Sequence, residues 1–133
     1  MMDISNNIFI FLTAFTFALL WNRLLFIIIP GYFMHPFVRS TIKLRWHHLH
    51  LGILLIFLGT AFLLFTGGST VTIVLLALGL GLVFDLFIPS LQLETDRGQE
   101  LIVYKASLGP TLLLGLLIML IILGLNFLLA FKF

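Results

Sequence analysis

Four apolar runs, at residues 8–29, 48–65, 70–88 and 110–131, occupy most of this 133-residue chain. Each is close to the ~20 residues that an α-helix needs to cross the hydrocarbon core of a bilayer. Lipid offers no hydrogen bonds to a backbone, so runs of this kind satisfy their own peptide groups as helices. Charged residues make up 9% of the sequence, against about 25% in a soluble domain. Such a chain has too little polar surface to face water. The expected fold is therefore all-α: a polytopic membrane protein in which residues 1–133 form a single domain of four transmembrane helices.

The runs differ in how they begin and end. The first contains Asn22 and Arg23 and is closed by Pro30-Gly31. Either the helix ends near Trp21 and an interfacial segment follows, or it spans fully and Arg23 snorkels toward the nearer surface. The apolar stretch 24–29 favours the full span. The second and third runs are joined by Thr66-Gly67-Gly68-Ser69, short enough to make them an antiparallel hairpin. Ser69 or Thr70 is placed to cap the third helix, which is expected to stop before Pro89. Pro110 suits the first position of the fourth helix. Residues 91–104 alternate around Thr95-Asp96-Arg97-Gly98 and fit either a small β-hairpin on the membrane surface or a plain loop. The segment before the first run holds Asp3 and no Lys or Arg; it lacks the basic start of a secretory signal, so the first helix is expected to be retained.

Six of the seven basic residues belong to one end of this arrangement: Arg23, Arg39, Lys43, Arg45, Arg97 and Lys105, with Lys132 alone at the other. By the positive-inside rule, loops 30–47 and 89–109 are cytoplasmic. Both termini then lie on the opposite side of a multi-pass plasma-membrane protein. Trp46, Tyr32 and Tyr104 fall at the basic end, as interfacial aromatics do.

Asp85 stands inside the third run, and a carboxylate at membrane depth requires a partner. Helical spacing nominates candidates. His48, Gly52 and Gly59 share a face of the second helix, and Ala77, Gly81 and Asp85 share one of the third. Small residues let membrane helices approach closely. Counting back from the glycine turn sets Gly59 level with Ala77, and Gly52 roughly level with Gly81. At about 1.5 Å per residue, His48 and Asp85 then meet within a turn of each other. Arg23 comes from the first helix at a compatible depth, His47 and His50 flank His48, and Glu94, Asp96 and Glu100 lie in the loop above.

Three chemistries fit these residues. His47, His48, His50 and Asp85, completed by Glu94 or water, are suitable ligands for a divalent transition metal. An Arg23–Asp85 ion pair with histidines at the interface would be purely structural. An intramembrane Asp beside His also suits a proton relay. Haem fits poorly, because no second helix carries a histidine and Met119 is better placed for packing. With no cysteine in the chain, thiolate metal sites and cysteine nucleophiles are excluded. Ser69 and Thr70 lie far from every histidine, and no base neighbours Ser107, so no catalytic residue is nominated. The Gly79-Leu80-Gly81 pair lies within a membrane helix and is not a nucleotide loop. The net charge of +2 gives no reason to expect nucleic acid as a partner.

His47-His48 with Gly52 on one helix, followed after a short turn by Gly79-Leu80-Gly81-Leu82-Val83-Phe84-Asp85, resembles a group of small, uncharacterised prokaryotic integral membrane proteins. These carry a paired-histidine helix start and a GLGLxxD helix end. The likeness spans the second and third helices, and Leu86 stands where those proteins often carry a second acid. It implies the pairing of His48 with Asp85 and carries no activity. The expected role is a non-catalytic subunit of a membrane-embedded enzyme complex, respiratory or monooxygenase in type, with lipid and other membrane subunits as partners. A metal-binding protein and a proton-coupled transporter are the alternatives.

Overall fold

A computed structural model of the chain describes residues 4–29, 48–91 and 97–130. Five helices follow one another: α1 (Ile4–Ile28), α2 (His48–Thr66), α3 (Thr70–Leu91), α4 (Arg97–Ala106) and α5 (Leu108–Ala130). All but α4 are long and apolar enough to cross a membrane. The four-helix, all-α architecture is thus the one that the apolar runs dictate.

Helix α1 passes without a break through Asn22 and Arg23. Arg23 does not snorkel, however; it is turned into the protein and is 4% exposed. The α2–α3 hairpin closes at Gly67, whose φ of +73° is a left-handed conformation that a residue without Cβ adopts cheaply. Its amide donates to the Leu63 carbonyl at 3.1 Å, ending α2. Ser69 is the residue that caps α3: its Oγ accepts from the Thr72 amide at 3.2 Å. This satisfies one of the first-turn donors that a helix leaves open.

Three local expectations are corrected. Residues 97–106 form a helix where a hairpin or loop fitted the alternation, and there is no strand among the described residues. The sequence RGQELIVYKA is a short amphipathic segment, and its alternating pattern is equally compatible with one apolar face on a helix. Second, α3 does not stop before Pro89 but carries it inside its last turns and ends at Leu91. Proline has no N–H, so the carbonyl four residues earlier, that of Asp85, loses its helical donor; its substitute is described below. Third, α5 begins at Leu108, which makes Pro110 its third residue. First-turn amides have no helical acceptor, so a proline there costs little.

Helix α3 is the centre of the bundle, packed extensively on α1 and α2 and more lightly on α5. Its small residues serve two different neighbours. Gly79 faces α2: a Cβ on either Gly52 or Gly79 would lie 2.8 Å from the other's carbonyl oxygen. Gly59 lies against Leu76 in the same interface. Gly81 instead faces α1, where a Cβ would lie 2.5 Å from the Phe15 carbonyl oxygen and 2.7 Å from the Ala18 Cβ. Ala77 joins Phe15 and Leu19 in the buried core, with Phe11, Phe84 and Met119 around it. So Gly52 opposes Gly79, not Gly81, and the Ala77–Gly81–Asp85 stripe belongs to the α1 interface. Outward, α2 and α5 present leucine, isoleucine and phenylalanine over most of their length, including Phe57, Leu64, Leu113 and Leu120. Lipid is the natural solvent for such faces.

Candidate functional site

Arg23 sits eight residues after Phe15 and four after Leu19, so it prolongs the buried stripe of α1 beyond its apolar part. Asp85 does the same for Ala77 and Gly81 on α3. The two close-packed stripes deliver a guanidinium and a carboxylate to one point, at the end of the bundle where α1 finishes and α2 begins. Asp85 is fully buried, at 0% exposure. An isolated charge there would be expensive. Neither charge is isolated.

Arg23 Nε donates to Asp85 Oδ1 at 2.5 Å. Its Nη2 donates to the Asp85 backbone carbonyl at 2.9 Å, the oxygen that Pro89 leaves without a helical donor. The same nitrogen reaches Thr111 Oγ1 at 2.9 Å and Ser107 Oγ at 3.3 Å, while Nη1 donates to the Tyr104 carbonyl at 3.0 Å. The guanidinium carbon stands 4.4 Å from the centre of the Tyr104 ring, a cation–π distance. On the other carboxylate oxygen, Oδ2, the Tyr104 hydroxyl donates at 2.8 Å and His48 Nε2 lies at 2.7 Å. A carboxylate has only acceptor oxygens, so both Oδ2 contacts call for a donor from the partner side. Sequence left open whether Arg23 or His48 would meet Asp85; both do, one on each oxygen.

Tyr104 is held in place by the short helix α4. Burial, reinforced by the neighbouring Asp85 charge, pushes its phenol well above the ordinary tyrosine range. It stays protonated and remains a donor to Asp85. The single non-helical residue between α4 and α5, Ser107, donates from Oγ to the Tyr104 carbonyl at 2.8 Å. Each of the five helices, counting this joint with α5, thus contributes to one network. Tyr104→Phe keeps the ring over Arg23 and removes one hydrogen bond to a charged acceptor. It is expected to cost about 2 kcal/mol, measured as a fall in the unfolding midpoint in detergent; an unchanged midpoint would show that the phenol is dispensable.

Of the nominated metal ligands, His48 and Asp85 meet. His50 is exposed on α2, and His47, Glu94 and Asp96 lie outside the described residues. Among the described residues no group of three or more His, Asp or Glu side chains comes together. Tyr104, Ser107 and Thr111 are the members that sequence reading passed over. They recur at i, i+3 and i+7, a helical stripe of hydroxyls running from α4 into α5. An assignment of residues 91–104 to a hairpin or loop conceals that spacing. Comparison of the chain with protein families, curated proteins and solved structures gives no match.

Proposed function

We propose that this chain is a non-catalytic accessory subunit of a larger membrane-embedded enzyme complex, respiratory or monooxygenase in type, in a prokaryotic plasma membrane. One observation supports this reading above the others: both carboxylate oxygens of Asp85 and all three nitrogens of Arg23 are engaged within the chain. A reactive or transporting site needs a polar atom turned toward its substrate. A structural lock needs the reverse, with the polar atoms matched internally, and that is the arrangement of the Arg23–Asp85 pair. The broad apolar faces of α2 and α5 give it area to bury against lipid and neighbouring subunits. Isolation in a mild detergent, followed by mass spectrometry of co-purifying chains, tests the reading. Recovery of stoichiometric partner subunits is expected; a monodisperse monomer without partners would overturn it.

The metal-binding alternative is weaker because a divalent ion would have to displace Arg23 from Asp85 Oδ1, or His48 and Tyr104 from Oδ2. Proton-coupled transport is weaker because the layer beyond Arg23 toward the other end is the apolar packing of Phe15, Leu19 and Ala77, which offers no stepping stone for a proton.

The basic end of the bundle is assigned to the cytoplasm. The chain has no cysteine, so single reporters are unambiguous. In intact cells a membrane-impermeant maleimide is expected to modify Ser5→Cys and to spare Ser90→Cys. The opposite pattern would reverse the orientation.

A further inference from the structure

The acceptors around Arg23 share a property that the helix carrying Arg23 does not supply. None of them belongs to α1. The carboxylate and carbonyl of Asp85 come from α3, the Tyr104 carbonyl and ring from α4, Ser107 Oγ from the joint, and Thr111 Oγ1 from α5. Each wall is also held by something other than Arg23. His48 and the Tyr104 hydroxyl fix the carboxylate at Oδ2. Ser107 Oγ fixes the Tyr104 carbonyl, and the Thr111 amide is bonded to the Ser107 carbonyl at 2.9 Å. The Asp85 carbonyl is freed for an outside donor by Pro89, whatever occupies the site.

We infer that α3, the α4–α5 segment and His48 form a preorganised receptor for a guanidinium cation, and that Arg23 is a tethered ligand which α1 inserts into it. The pattern of acceptors selects this class. Through its three nitrogens a planar guanidinium faces a carboxylate oxygen, two carbonyls and two hydroxyls, with Nη2 shared among three of them, and still stacks on a phenol ring. An ammonium has three donors and no flat face, and urea is planar but carries no charge to match Asp85. The receptor therefore binds guanidinium compounds in preference to either, once its own arginine is removed. This inference stands independently of any partner subunit.

The test is chemical rescue. Arg23→Ala is purified in detergent and titrated with millimolar ethylguanidinium chloride, and separately with ethylammonium chloride and with urea. Ethylguanidinium is expected to raise the unfolding midpoint saturably, by about 3–6 °C at ten times its dissociation constant. The other two compounds are expected to do so weakly or not at all. Wild type, whose receptor is filled, and the Arg23→Ala, Asp85→Asn double variant, which has lost the counter-charge, are both expected to be unmoved. If Arg23→Ala does not fold alone, rescue is scored as the monodisperse protein recovered when extraction is done with or without ethylguanidinium. Absence of rescue in both formats overturns the inference. So does an equal response in wild type, or an equal response to ethylammonium.

Discussion

Asp85→Ala is expected to lower the stability of the isolated protein by about 3–5 kcal/mol, the usual consequence of stranding one member of a buried ion pair. The substitution removes the partner of Arg23 Nε and at the same stroke the acceptor of His48 and Tyr104. What remains is a guanidinium at 4% exposure with neutral oxygens around it. Most of the loss comes from that unmatched cation, which leads to a second expected result. Converting both partners to apolar residues, Arg23→Met with Asp85→Leu, should give a protein more stable than Asp85→Leu alone, because a neutral pair leaves no charge stranded. Denaturant or thermal unfolding in one detergent measures all of these. A loss below about 1 kcal/mol for Asp85→Ala, within the range of exposed ion pairs, would show that the pair is solvated and not a lock.

Gly81→Val is the second large effect. A Cβ at this position overlaps a backbone oxygen and the Cβ of Ala18, and neither can move aside by a change of rotamer. The α1 and α3 helices must separate. Overpacking of this kind costs about 1–3 kcal/mol where a core can adjust, and the upper end or beyond is expected here because backbone is what must give. Separation would also draw Arg23 away from Asp85, so the damage reaches the polar cluster about one turn nearer its end of the bundle. Gly124→Val on the open face of α5, where an added Cβ would meet nothing within 4 Å beyond its own helix backbone, is the matched control. It makes the same chemical change and should fall within about 0.5 kcal/mol of wild type. Equal losses at the two positions would mean that helix propensity, not close approach, governs both.

The membrane helices and their hairpin were legible in the sequence because hydropathy and a glycine turn act locally. The meeting of Asp85 with His48 and Arg23 was legible for a different reason: charges in a lipid-soluble chain are few, and each must find a partner. What escaped was the allocation of faces. Gly79 and Gly81 are two residues apart and so point to different sides of α3, but nothing local says which of them meets α2 and which meets α1. Counting heights from the turn placed Gly52 near the correct level and opposite the wrong glycine. Pro89 illustrates a second limit. As a local signal it ends a helix; in the folded chain the bond it forfeits at the Asp85 carbonyl is replaced by one from Arg23, sixty-two positions from Asp85 in sequence. Tyr104, Ser107 and Thr111 escaped because their common face exists only once α4 is a helix leading into α5.

The separation of these partners along the chain bears on biosynthesis. Arg23 emerges from the ribosome with the first membrane segment. Its acceptors follow 62, 81, 84 and 88 residues later, the last of them at Thr111 on the final segment. Until that segment is in place the nascent protein carries a cation without its full complement of acceptors, and a translation product truncated before Thr111 never acquires it. The counter-charge of Arg23 thus arrives with Asp85 on the third segment, whereas the last neutral acceptor of its site arrives only with Thr111 on α5.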